Sequence, residues 1–102
     1  MPRLLLSKAA QSDLVGIWVF SFLGWGEAQA DRYVDELGDG LRTCGATPDR
    51  GKDRGDVRPG YRSLLVRRHV IFYTVTHDQV LVQRVLHGSM DPTLHLLDDG
   101  GD

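Results

Sequence analysis

Four side chains in this 102-residue sequence have the chemistry to act on a phosphodiester: Arg62, Arg67, Arg84 and His87. Cutting such a bond calls for a general base, a general acid and cations around the scissile phosphate. Imidazole titrates near neutrality, so His87 can fill either proton-transfer role. The competing reading of His87 is structural: a ring that bonds the backbone at the end of a strand. Other reactive patterns do not occur. The sequence holds no paired carboxylates set for acid–base work, no nucleophile elbow and no metal-ligand spacing. The glycines of residues 51–60 fall in a charged loop and not before a helix, so they make no phosphate loop. The one cysteine, Cys44, has no second thiol and no Cys/His cluster around it, so neither an internal disulfide nor a zinc site is expected. Cys44 reads as a small apolar residue on a helix. No cofactor is expected.

Charge narrows the choice. A formal net charge of -2 and a pI of about 6.0 exclude a global basic field for gripping nucleic acid. The charge is nevertheless uneven. Between residues 42 and 68 stand Arg42, Arg50, Lys52, Arg54, Arg58, Arg62, Arg67 and Arg68, against the acids Asp49, Asp53 and Asp56. After Met90 come Asp91, Asp98, Asp99 and Asp102 with no Lys or Arg. Such asymmetry points to a basic surface for an acidic partner, with Arg58, Arg62, Arg67 and Arg84 as the candidate contacts. Arg58 and Arg62 flank Pro59-Gly60-Tyr61, and the alternative is that they orient that loop by bonding carbonyls. Arg84 stands among valines and needs an acidic partner or a partly exposed face. Asp91 reads as a cap or an internal pair. A DNA-binding recognition helix is absent: the second helix is acidic, with Asp31, Asp35, Glu36 and Asp39.

The elements that position these groups follow from periodicity. Residues 3–6 form a short strand. Ser7 is a good N-cap for a helix from Lys8 to about Leu23. Leu14, Ile17, Trp18, Ser21 and Trp25 share one face of it, and Val15, Val19 and Phe22 form a second stripe to which Phe20 and Leu23 add. Gly24 and Gly26 supply the geometry that ends this helix. A second helix from about Glu27 to Gly45 carries the apolar face Ala30, Tyr33, Val34, Leu37, Leu41 and Cys44. So short a link makes the two helices an antiparallel hairpin. Residues 46–60 are loop chemistry. The period then changes to two, giving strands at Tyr61–Val66, Val70–Thr76 and Gln79–His87. Val70, Phe72 and Thr74 point one way, Ile71 and Tyr73 the other. Residues 92–97 make a helical turn or a packed tail.

The expectation is one α+β domain over residues 1–97, ordered β-α-α-β-β-β, with an N-terminal helix hairpin packed on an antiparallel sheet. Residues 98–102 are expected to fray. The apolar runs are too short for a membrane span or a signal peptide, so no membrane contact and a cytoplasmic location are expected. Only one face of a hairpin helix can cover the sheet. The stripe of Val15, Val19 and Phe22 is therefore left over as a groove for an amphipathic helix.

Several stretches also carry a family pattern. They are Ser7-x-x-Ala10-x-x-Asp13-Leu14 with Ile17-Trp18, then Trp25-Gly26, Gln29-Ala30 and Tyr33. Pro48-x-x-Gly51, Arg58-Pro59-Gly60-Tyr61-Arg62, His69-x-x-Phe72-Tyr73 and Arg84-Val85-Leu86-His87-x-x-Met90-Asp91 follow. In this order and spacing the chain resembles the ParE branch of the RelE/ParE toxin superfamily over nearly its whole length. Two positions depart from the pattern: Ser89 stands where a basic residue is expected, and Gly16 is unusual inside the first helix. The resemblance implies a toxin of a type II toxin–antitoxin system that binds and blocks DNA gyrase without catalysis. It implies neutralisation by a ParD-like antitoxin, in a hetero-oligomer of two toxins with two antitoxins or a multiple, with operator DNA bound only through the antitoxin. Val15, Val19, Phe22, Arg58, Arg62, Arg67 and Arg84 are then the antitoxin-binding candidates, and His87, Met90 and Asp91 the target-binding ones. The rival within the superfamily is a RelE-type ribosome-dependent mRNA endonuclease, against which the net charge counts.

Overall fold

A computed structural model describes residues 2–99. Arg3–Leu6 forms β1, and Lys8–Trp25 and Glu27–Ala46 form helices α1 and α2. A turn of 3-10 helix at Pro48–Arg50 leads to β2 (Lys52–Asp53), β3 (Tyr61–Val66), β4 (His69–Val75), β5 (Gln79–His87) and α3 (Pro92–Asp99). The strands make one five-stranded sheet in the order β1-β5-β4-β3-β2.

The α+β order is the one expected, with two differences in the sheet. β1 lies parallel to β5, pairing Leu4 with Val80 and Leu6 with Val82, while the other pairs are antiparallel. Short turns force neighbours to run antiparallel, but β1 and β5 are separated by the hairpin and the meander, a connection long enough to return in either sense. The second difference is β2, which lies in the expected loop and pairs Lys52 with Ser63 and Asp53 with Arg62. Two residues are too few to leave a period-two pattern. At the other end α3 continues through Asp99, so the expected boundary at Leu97 falls inside it. Residues 100–102 of the expected frayed tail lie outside the described residues.

Both ends of α1 are set by single residues. Ser7 caps its start: the Oγ accepts from the Ala10 N–H at 2.9 Å and donates to the Gln83 carbonyl at 2.7 Å. Gly26 ends it at φ +91°, donating to the Phe22 carbonyl at 2.9 Å. This is left-handed backbone that a side chain resists, and it lets α2 begin at the next residue.

The hairpin covers one face of the sheet. Ala10, Leu37, Leu41, Cys44, Ile71, Tyr73, Val80, Val82 and Val85 are buried there, flanked by Leu4, Leu6, Leu14 and Ile17. Burial pushes the Cys44 thiol up to about 12, which leaves it an inert apolar filler. Gly40 lets α2 approach the sheet: a Cβ there would stand 2.5 Å from Val66 Cγ2. The alternation along β4 sends Phe72 to the opposite face, where it packs with Tyr61, Leu86 and Leu96 beneath α3. Trp25 departs from its expected place on the buried face of α1 and is 66% exposed. The cover ends between Ser21, which is buried, and this last residue of the helix.

Candidate interaction surface on the helix hairpin

The outward side of α1 is apolar and uncovered. Val15, Val19, Phe20, Phe22, Leu23 and Trp25 are all exposed, and no charged residue interrupts the helix after Asp13. Trp18 underpins one edge: its indole Nε1 donates to Asp31 Oδ1 at 2.9 Å and its ring stacks on Phe22 at 5.1 Å. This is the stripe expected from spacing, with Phe20 and Leu23 adding to it as expected and Trp25 widening it. Isolated apolar side chains on a surface are ordinary, but a contiguous band marks a contact surface.

The band borders a groove of about 790 Å³ between the hairpin, the β3–β4 turn and the end of β5. Gly16, Ile17 and Phe20 form one wall, Val85, Leu86 and Met90 line it further, and Arg32, Arg67 and Arg68 bring cations to it. A bulge in β5 shapes one wall. Phe72 pairs with Arg84 and Tyr73 with Val82, which leaves Gln83 unopposed and redirects the strand. Arg84 is thereby brought to Asp13. Its Nε donates to Oδ2 at 2.8 Å and its Nη2 to Oδ1 at 2.9 Å, while the Val85 N–H donates to Oδ2 at 2.9 Å. Both side chains are largely buried. Removing one partner of such a pair costs about 3–5 kcal/mol, because the other charge is stranded.

The other candidate arginines are also engaged within the chain. Arg58 donates to the Leu96 carbonyl at 3.1 Å and lies over the Tyr61 ring, fastening α3. Arg62 donates to the carbonyls of Asp49 and Gly51 at 3.1 and 2.8 Å, which is the loop-orienting alternative. Arg67 grips Glu36 with both arms, Nε–Oε2 2.6 Å and Nη2–Oε1 2.9 Å. Arg67 opens the two-residue turn between β3 and β4, which sets it at φ +57°, a conformation that favours glycine, and its guanidinium holds the Glu36 carboxyl below its usual range. Of the target-binding candidates, His87 and Met90 line the groove. Asp91 does not; its carboxylate accepts from the Thr93 N–H at 3.0 Å at the start of α3. His87 Nδ1 accepts from the Ser89 N–H at 3.1 Å, the strand-end role foreseen as its structural alternative.

The four groups suited to phosphodiester chemistry therefore do not converge. Arg67 and His87 share the groove, Arg84 is paired with Asp13, and Arg62 lies near the start of β3 while Arg67 follows its end, roughly 13 Å of strand or more apart. Spacing did not single out one further cluster. The Tyr33 hydroxyl accepts from the Arg68 N–H and meets His69 Nδ1 at 2.6 Å, and the His69 and His87 rings meet edge-to-face at 5.3 Å.

An apolar band beside a groove lined with arginines, on a hairpin laid over a sheet, defines a small α+β protein with an uncovered apolar surface. Comparison with known proteins places it more closely. The family model described as "ParE toxin of type II toxin-antitoxin system, parDE" matches residues 4–92. Toxin ParE1 of Mycobacterium tuberculosis is 42% identical over 90 residues, spanning 87% of this chain and 92% of the relative. Toxin ParE1 of Caulobacter vibrioides is 38% identical over 91 residues, spanning 89% and 94%. Among solved structures, one titled "Chromosomal ParDE TA system from P. aeruginosa" superposes with a TM-score of 0.77 at 19% identity, covering 85% of this chain and 96% of that one, a likeness of fold. This chain belongs to the ParE toxin family of type II toxin–antitoxin systems.

Proposed function

We propose that the chain is a stoichiometric toxin that inhibits DNA gyrase by direct binding and is neutralised by a ParD-like antitoxin. The observation that carries this reading is the exposed band of Val15, Val19, Phe20, Phe22, Leu23 and Trp25 on α1. Burying such side chains yields about 1.5–3 kcal/mol each, enough in sum to offset the several kcal/mol of ordering a flexible antitoxin segment. Val15, Val19 and Phe22 are the core of the antitoxin contact. Arg67 flanks it, while Arg58, Arg62 and Arg84 act from within by holding α3, the loop and α1, respectively, in place. His87 and Met90 at the groove, with Asp91 beyond it, are the target-side candidates.

The complex holds two toxins and two antitoxins, or a multiple, meets operator DNA through the antitoxin, and works in the cytoplasm. No described helix is long and apolar enough to cross a membrane. Against the mRNA endonuclease reading stands the dispersal of the four groups the sequence offers for it: only Arg67 and His87 share the groove, while Arg84 is paired with Asp13 and Arg62 bonds loop carbonyls.

The test is a supercoiling assay with purified gyrase, relaxed plasmid and antitoxin-free toxin. Loss of supercoiling, reversed by adding antitoxin, is the expected result. Unimpaired supercoiling at excess toxin removes gyrase as the target. Ribosome-dependent mRNA cleavage in a parallel translation reaction replaces binding with catalysis.

A further inference from the structure

The interior of α1 contains Gly16 and Gly24, and this chain's own packing requires neither. A Cβ built at either position meets nothing within 4 Å, whereas at Gly40 it strikes Val66. Neither has a positive φ; among the described glycines that belongs to Gly26 and Gly60. Glycine in a helix interior is less stable than alanine, because more backbone freedom is lost on folding. The chain thus keeps a destabilising residue where a methyl group fits. The two glycines differ in place. Gly16 lies in the wall of the groove, one turn from Ser12 and one from Phe20, so it bares main chain between two side chains that also line it. Gly24 is outside that wall.

Charge around the groove is one-sided. Its acids, Asp13 and Glu36, are already paired with Arg84 and Arg67. Arg32 and Arg68 also line the groove; Arg32 shares the field of Glu36 with Arg67, and among the described residues the Arg68 side chain makes no ion pair and no hydrogen bond, so the groove carries more cations than acids. A trough with an apolar wall, a bared stretch of helix backbone and an excess of cations asks for an occupant that is both apolar and anionic. A nucleic-acid strand answers the cations and leaves the apolar wall wet; an uncharged peptide does the reverse.

We propose that Gly16 is a specificity notch in the antitoxin contact: an acidic amphipathic helix seats a bulky apolar side chain over the Gly16 backbone and sets carboxylates against Arg32 and Arg68. This rests on the antitoxin reading above and deepens it. The probe is the cognate ParD-like antitoxin, titrated calorimetrically into purified toxin variants whose melting temperatures are measured alone. Gly16→Ala raises the melting temperature by about 4 °C yet weakens binding. Gly16→Leu stays folded, its side chain having open space, and weakens binding about tenfold or more by overpacking. Gly24→Ala raises the melting temperature alike and leaves affinity unchanged. Arg68→Gln weakens binding and flattens its salt dependence.

Wild-type affinity in Gly16→Leu overturns the notch and leaves the antitoxin reading standing. An unaltered salt dependence in Arg68→Gln overturns the carboxylate contact. Failure of the wild-type toxin to bind the antitoxin overturns the reading and the notch together.

Discussion

His69 is held between a phenol and a second imidazole. The Tyr33 hydroxyl meets its Nδ1 at 2.6 Å, and the His87 ring stands against its edge. Burial pushes its pKa below the ordinary imidazole value, a positive charge on His87 pushes the same way, and Asp13 pulls weakly against both. The folded chain therefore prefers neutral His69, while the unfolded chain takes up a proton near pH 6.5. A group depressed in this way gives its full stabilisation above about pH 6.5 and loses it as pH falls through the folded value. Stability should decline between pH 7 and pH 5, well before Glu36, whose lowered carboxyl pKa belongs to a more acidic window. His69→Gln should flatten that decline when urea midpoints are compared at the two pH values. An equal decline in the variant would place the titration elsewhere. At this scale the sequence was partly legible. Valines around Arg84 called for an acidic partner, but Asp13 is 71 residues away and no local spacing names it. Tyr33 reads as one more apolar position on α2, and its bond to His69 joins two elements that periodicity treats separately.

Among the elements, α1 decides what the protein can bind. Its helical period, its Ser7 cap and its glycine stop were all readable, and so was the surplus stripe of Val15, Val19 and Phe22, because a helix has only one face to give a sheet. Trp25 was misplaced on the covered face for a related reason. Periodicity fixes direction around a helix axis and says nothing of where along the axis the cover stops. The bulge in β5 was likewise hidden, since one unopposed residue barely disturbs an alternating pattern. From the exposure of Val19, 43% in the free chain, Val19→Asp should shift the toxin's own stability by no more than about 1 kcal/mol. A carboxylate buried without a partner in the antitoxin contact should cost far more, lowering affinity about a hundredfold or more. Thermal melts beside a binding titration check both halves. An intact fold with unchanged antitoxin affinity would remove α1 from the interface.

For the molecule as a whole, chain order fixed the α+β class, while the parallel closure of β1 onto β5 depended on long-range pairing that no segment announces. The same scale sets the energetics. A domain of this length is stable by only about 5–15 kcal/mol, and this one leaves much of a helix apolar and wet. A partner that binds only the folded toxin adds RT ln(1 + [L]/Kd), about 4 kcal/mol when the antitoxin stands at 1,000 times its dissociation constant. For a domain this small each kcal/mol moves the melting temperature by about 4–8 °C, so the complex should melt at least ~15 °C above the free toxin. The rise should follow the logarithm of antitoxin concentration. It should shrink in Val19→Asp, which alters the contact and not the core, and persist in Arg58→Lys, which replaces the guanidinium that bonds the Leu96 carbonyl of α3. Differential scanning calorimetry over a concentration series reads all three. A melting temperature indifferent to antitoxin would mean that binding does not select the folded toxin, and the exposed band on α1 would need another occupant.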